Sequence, residues 1–380
     1  MGITVCFAPV RTLEYPEGGG HLWEYLNWAL GLRALGCKVI WLEAVAPNFP
    51  AAELRANVAA LKLRLARYDF MDCLALYSLS DGSLPLHLSA MGCLELDAAA
   101  GADLLLEFPY DTPLHVVKRF RRSALLDIDP GLSQAWIANG RKKLTPHDVY
   151  FTTGETVGRP GTRIPDLGLN WIYSRPCVAL DWWPRREAKN NAPFTTVAHW
   201  YAGGWLEDDA HAHLDDKRSG FLPFVEMPSL TDRPLELALD LQPADEQWRM
   251  LEERGWRVVD SHRVAATPWD YQGYIQDSFG EFSCAKPACL KLENAWLSNR
   301  TLCYLASGKP AVVQHTGPSR YLPDCAGLFR FRDLKQAAQC VERVAIDYEK
   351  QSKLARALAE EYFDARKVVG ALLERALSVN

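Results

Sequence analysis

The opening stretch, up to Glu43, constrains this chain more than any other. An apolar run, Ile3-Thr4-Val5-Cys6-Phe7-Ala8, leads into a turn-rich segment that ends Glu17-Gly18-Gly19-Gly20. From His21 onward, apolar residues recur at Leu22, Tyr25, Leu26, Ala29, Leu32 and Leu35, a spacing that puts them on one face of a helix. Gly36 supplies the stop, and Cys37-Lys38-Val39-Ile40-Trp41-Leu42 follows as a second buried strand. Strand, glycine loop, helix, glycine and strand are the opening half of a βαβ unit. Strands joined through a helix run parallel, and parallel sheets are covered on both faces. The fold class is therefore α/β.

The alternation continues. Residues 50–68 predict a helix with Leu54, Val58, Leu61 and Leu65 on one face, and strands are expected at Ala102–Phe108, Ala124–Ile128 and Asp148–Thr152. Between 160 and 195 the character changes: Pro160, Pro165, Pro176, Pro184 and Pro193 sit among Gly161, Gly168 and Asn190-Asn191, which marks a joint. Beyond it the pattern restarts with a strand at Phe194–Ala198, a helix over 217–226, a strand at Leu235–Leu239, a helix over 244–254 and a strand at Trp256–Val259. Next come Tyr271–Gln276, a Ser/Gly-containing loop, a helix over 298–306, the strand Ala311–Val313 and a largely helical tail over 333–377. A length of 380 residues accommodates two such halves. A cleft between them is expected.

Composition narrows the function classes. The ten cysteines contain no CxxC pair, so they read as small buried hydrophobes rather than zinc or redox ligands. No apolar run approaches the roughly 18 residues of a spanning helix, and the N-terminus enters a strand without a basic leader. A cytoplasmic protein without membrane insertion is expected. The net charge of −5 and pI of 6.0 lead us to exclude nucleic acid as a partner, since neutralising phosphates takes a basic face. The 13 tryptophans suit a cleft for ring-shaped ligands, and Trp23 and Trp200 are taken as acceptor-side candidates.

Chemistry concentrates late in the chain. Gly280-Glu281-Phe282-Ser283-Cys284-Ala285-Lys286 is followed by Ser298-Asn299-Arg300-Thr301, in which Ser298 reads as a helix N-cap. The free N–H groups of a helix start, with arginine beside them, favour phosphate oxygens. Asp127-Ile128-Asp129 spells an acidic triplet at a strand end, where Asp129 is a candidate for contact with an acceptor or a metal. The group Asp208, Asp209, His211, His213, Asp215 and Asp216 reads as a solvated loop.

At this point the chain resembles the GT-B class of nucleotide-sugar-dependent glycosyltransferases, and a bacterial group within it. The likeness runs through "GGGHLWEYLNWALGLRALGCKVIWLE", "DIDPG" with Gln134, "HDVYFTTGETVG", "ASGKPAVVQHTG" and the closing "LAEEYFDARKVV". The resemblance implies two Rossmann-like domains facing a cleft: an acceptor domain over 1–178, a donor domain over 179–350 and a C-terminal helix over 351–380 that crosses back to the first. It implies transfer of a sugar, a hexose from UDP-sugar above all, to a hydroxyl of a small-molecule or glycan acceptor. Glu281 would meet sugar or ribose hydroxyls, Ser298, Arg300 and Thr301 the pyrophosphate, and Lys217 the β-phosphate, with Lys286 beside them. Gly19 and Gly20 would let backbone approach the donor. In inverting members a histidine placed as His21 is the base for the acceptor hydroxyl. A helix start keeps such a ring neutral, and Asp111 would orient it. Cys303 stands where retaining members place the second of two glutamates, which leaves the stereochemical course open. No cofactor and no strict need for Mg²⁺ are expected, with the chain a monomer or homodimer. An NDP-sugar epimerase or mutase, or a non-catalytic nucleotide-sugar-binding protein, are the alternative readings.

Overall fold

Two parallel sheets carry the chain. The computed structural model describes residues 2–80, 84, 91–189, 191–201, 203–207, 212–322 and 326–378, with only the backbone described for 203–207 and 212–215. The first sheet contains β1 (Thr4–Ala8), β2 (Lys38–Val45), β3 (Leu74–Ser78), β4 (Leu94–Glu95), β5 (Leu104–Glu107), β6 (Ser123–Asp127), β7 (Val149–Thr152) and β8 (Trp171–Tyr173). Their spatial order is 4-3-2-1-5-6-7-8. β1 becomes the centre because Val5, Cys6 and Phe7 are apolar and fully enclosed, with Val5 opposite both Val39 and Leu104. The order reverses there, and such a switch point opens a crevice at the carboxyl ends of the strands.

The second sheet is built the same way. β9 (Phe194–His199) is followed by a two-stranded antiparallel hairpin of β10 (Gly203–Glu207) and β11 (Ala212–Asp216), then by β12 (Leu235–Asp240), β13 (Arg257–Asp260), β14 (Gly280–Ser283), β15 (Ala311–Gln314) and β16 (Leu328–Phe331). The order 13-12-9-14-15-16 places its switch point between β9 and β14. The loop expected after Gln276 thus contains a central strand. The solvated acidic loop is corrected as well. Part of it is the hairpin, and Asp216 is buried and caps the next helix through Ser219 N at 2.8 Å; Asp208, Asp209 and His211 lie outside the described residues.

Tryptophan mostly serves packing. Trp23, Trp28, Trp41, Trp183 and Trp200 are among the largest fully buried side chains, and truncating one to alanine costs about 3–5 kcal/mol. Of the described cysteines, eight are buried and Cys340 is half-buried; none is in a disulfide.

The first helix, Gly19–Ala34, is the seam between the lobes. Its Trp23 Nε1 donates to the Pro268 carbonyl at 2.7 Å, and Asn27, fully buried, donates to Asn299 Oδ1 at 3.0 Å while accepting from Ala179 N. The C-terminal segment divides in two. Tyr348–Tyr362 packs on the second-lobe helix Asn299–Ala306, and after a break at Phe363-Asp364 the helix Ala365–Ser378 packs on the first helix. Gly31 permits that last contact, since a Cβ there would lie 2.8 Å from Val369. At the break the two crossings touch: Val178 N donates to Phe363 O at 2.8 Å, and Ala365 N to Val178 O at 3.1 Å.

Gly19 and Gly20 have the same kind of task, which corrects their assignment to donor phosphates. Gly19 N donates to Ala265 O at 3.2 Å, and a Cβ at Gly19 would sit 2.2 Å from the Thr267 carbonyl oxygen; at Gly20 it would strike the Tyr271 ring. The glycines bring the lobes together. Gly19→Ala is therefore expected to lose about 1–3 kcal/mol of stability through forced backbone displacement, read by urea denaturation. A midpoint equal to wild type would remove this contact from the solution structure.

Candidate active site between the lobes

The carboxyl ends of β9 and β14 flank the start of the Asn299–Ala306 helix, and Arg300 projects from its first turn into that space. Nε bonds Glu281 Oε1 at 2.8 Å, Nη1 the Val197 carbonyl at 2.8 Å and Nη2 Ser283 Oγ at 2.6 Å. The guanidinium is thereby oriented by three acceptors, with 12% of its side chain exposed. Glu281 is fully buried behind it. The carboxylate that the resemblance points at sugar hydroxyls is enclosed in this structure and holds the arginine.

Lys217 opens the short helix Lys217–Phe221, and its Nζ donates to the Cys284 carbonyl at 2.5 Å. Burial, reinforced by the Arg300 charge, pushes the amine down to about 7. Lys217, Ser298, Arg300 and Thr301 line one hollow, together with Ser283 and Trp296. Four of the expected donor residues are thus brought together. Ser298 is the N-cap residue, although its hydroxyl makes no capping bond. Lys286 stands at the cap of the neighbouring helix Pro287–Leu292, where its charge also opposes that of Lys217.

His21 lies in the first turn of the first helix, beyond the switch point of the first sheet and within reach of the His199 charge at the end of β9. Its Nε2 is 2.8 Å from the Val10 carbonyl oxygen. A carbonyl only accepts, so Nε2 carries the hydrogen and Nδ1 is the basic nitrogen of the neutral ring. Burial lowers its pKa, and His199 at the end of β9 lowers it further, against the Val10 hydrogen bond. Tyr15 and Tyr25 flank the ring at 5.0 and 5.3 Å between centroids. The orienting partner is therefore a backbone carbonyl, not Asp111, which is exposed.

The acceptor-side assignments divide. Trp23 and Trp200 are buried, the first against Tyr68 and Trp183 and the second against Phe221, so neither presents a ring to the cleft. Asp129 is exposed at the carboxyl end of β6. Asp127 of the same triplet is buried and saturated, accepting from Asp129 N at 3.0 Å, Gln134 Nε2 at 2.5 Å and Thr152 Oγ1 at 2.7 Å. It holds the strand end rather than a metal.

Glu24 was missed from sequence. One turn beyond His21, it meets little water and the charge of Asp129, and its carboxyl is pushed up to about 8. The available signal was the spacing of three residues on a helix already assigned, which puts both side chains toward one face.

No protein-family model and no curated protein matches the chain. Solved structures do. An alpha-glucosyltransferase in complex with UDP-glucose and DNA containing an abasic site aligns over 99% of this chain and 100% of its own, with a TM-score of 0.60 at 12% identity. Sucrose-phosphate synthase from Thermosynechococcus elongatus aligns over 100% of both chains with a TM-score of 0.57 at 11% identity. Anabaena HepE in complex with UDP covers 99% of this chain and 100% of its own, with a TM-score of 0.56 at 11% identity. The fold is GT-B, the fold of these glycosyltransferases. The exclusion of nucleic acid is corrected by the first of them, a chain of this fold solved on DNA. Net charge averages over a whole surface, whereas phosphate contacts depend on the face that meets them. No helix among the described residues is long and apolar enough to cross a membrane.

Proposed function

We propose that this GT-B chain is a nucleotide-sugar glycosyltransferase that holds a nucleoside-diphosphate sugar, preferably a UDP-sugar, on its second lobe. The sugar, a hexose, passes to a hydroxyl of a small-molecule or glycan acceptor on the first lobe. One observation carries the reading: Lys217, Ser298 and Arg300 converge on a single hollow at the second switch point, with a neutral, oriented histidine across the cleft. GT-B structures solved with UDP or UDP-glucose give the nucleotide its support.

In the reaction the acceptor O–H gives its proton to His21 Nδ1 as the oxygen attacks the anomeric carbon. The bond from that carbon to the diphosphate breaks, and its electron pair leaves on the β-phosphate oxygen. Lys217 and Arg300 stabilise that oxygen's charge, so the chain's own cations serve where other enzymes use a metal ion. A single displacement inverts the anomeric configuration.

Calorimetry with UDP tests the site. Lys217→Met is expected to weaken UDP binding by about 10- to 100-fold, the equivalent of one charge-assisted contact. The free amine titrates near 7, and a bound diphosphate raises it. Binding therefore takes up a proton above that pH, and affinity falls toward ten-fold per pH unit. Folded wild-type protein that binds no nucleoside diphosphate would sink the reading.

A further inference from the structure

Four ionisable side chains, none of them lining the phosphate hollow, form a continuous bridge between the lobes. Glu17 belongs to the first-lobe loop that leads into the helix carrying His21, and its Oε2 lies 3.1 Å from His262 Nδ1. The other ring nitrogen of His262, Nε2, is 3.0 Å from Asp240 Oδ1 at the end of β12. Asp240 Oδ2 is in turn 2.7 Å from His199 Nδ1 at the end of β9. A carboxylate only accepts hydrogen bonds, so a ring with a carboxylate on each nitrogen carries a hydrogen on each: His262 is held as the imidazolium.

We propose that His262 is a positioning residue of the transfer site, a cation that ties Glu17, in the loop before the first helix, to Asp240 and so presents His21 to the cleft while it stays protonated. The proposal rests on the reading of His21 as the base. Asp260, at the end of β13, caps the turn by accepting from His262 N at 2.9 Å. On the Pro268–Asp277 helix, Asp270 is engaged by Thr267. Arg263 is the adjacent exposed cation, and Arg64 faces Glu17 from the Ala51–Arg67 helix. His199 shares Asp240. The balance favours the proton. The hydrogen bond to Asp240 raises the His262 pKa, slight burial opposes it, and Asp240, Asp260 and Glu17 add to the rise. A raised pKa means that the tie is complete below the ordinary histidine range and is lost as pH climbs through the raised value.

The Gly19 amide reports the tie directly, because its hydrogen bond to Ala265 O crosses between the lobes. Hydrogen exchange at Gly19, corrected for intrinsic rates, is measured on the full chain from pH 5.5 to 8.5 with UDP binding followed in parallel. Wild-type protection is expected to fall as pH rises. His262→Gln should lower protection about five-fold at pH 6, in line with partly exposed ion pairs, and remove the pH dependence. His262→Arg, a permanent cation, should keep protection across the range. Sloping protection in His262→Gln, or wild-type protection there at pH 6, overturns the proposal. Protection that follows it while UDP fails to bind would leave the bridge standing and sink the transferase reading instead.

Discussion

His21→Ala is expected to fold and to bind nucleotide as wild type does, while turnover falls by about 10²–10⁴. In the proposed reaction the phosphate contacts come from the second lobe, where Lys217 and Arg300 line one hollow, so losing a first-lobe ring leaves the donor in place. Only the proton acceptor goes. Its lowered pKa sets the sign of the pH profile: kcat/KM rises as the ring deprotonates, and that acid limb lies below the ordinary histidine range. Single-turnover kinetics with donor and acceptor provides the check, and NMR of the product anomer tests inversion. Near-normal turnover in the variant moves the base to Glu24 or Asp129, both at the same end of the first lobe.

Arg300→Ala is expected to cost about 3–5 kcal/mol of stability, a larger effect than loss of a phosphate contact alone. Glu281 has one oxygen on Arg300, its Oε2 has no partner, and the residue is fully buried. Removing the guanidinium strands a charge in the second sheet between Thr195 and Ala311, its neighbours in the ladder. Arg300→Met with Glu281→Gln should recover most of the loss while still failing to bind UDP. Urea denaturation with calorimetry separates the two roles. A single variant as stable as wild type would show that Glu281 takes up a proton or finds water at little cost.

Much of the scaffold was legible because apolar period and glycine punctuation report burial directly. β1, β2 and the helix between them are spelled out by Val5–Ala8, Gly36 and Val39–Leu42. β14 was not, since Gly280–Ser283 carries a glycine, a charge and a serine that also suit a loop, and β3 was passed over although Leu74–Tyr77 is an apolar run. In the site, Ser298, Arg300 and Thr301 followed from the pattern at one helix start, and Lys217 from the family resemblance. What stayed hidden was who stands behind whom. Neither the Val10 carbonyl beneath His21 nor the contacts that consume Gly19, Trp23 and Trp200 leave a local signal, because each partner is distant in sequence. Charge misled for a related reason: a total of −5 says nothing about any one face.

The touch between Val178 and the Phe363–Ala365 break means that the chain leaves the first lobe and re-enters it at one place. In topological terms the second lobe is an insertion in the first, with its entry and exit side by side. Joining the chain across that point spans almost no distance, and closing such a junction carries little entropy cost. An exchange of the whole inserted unit for another of the same fold leaves the thread of the first lobe intact, as domain insertions at adjacent termini do. The connection therefore makes the second lobe a replaceable cassette, while the seam residues Gly19, Trp23 and Asn27 set which cassettes fit.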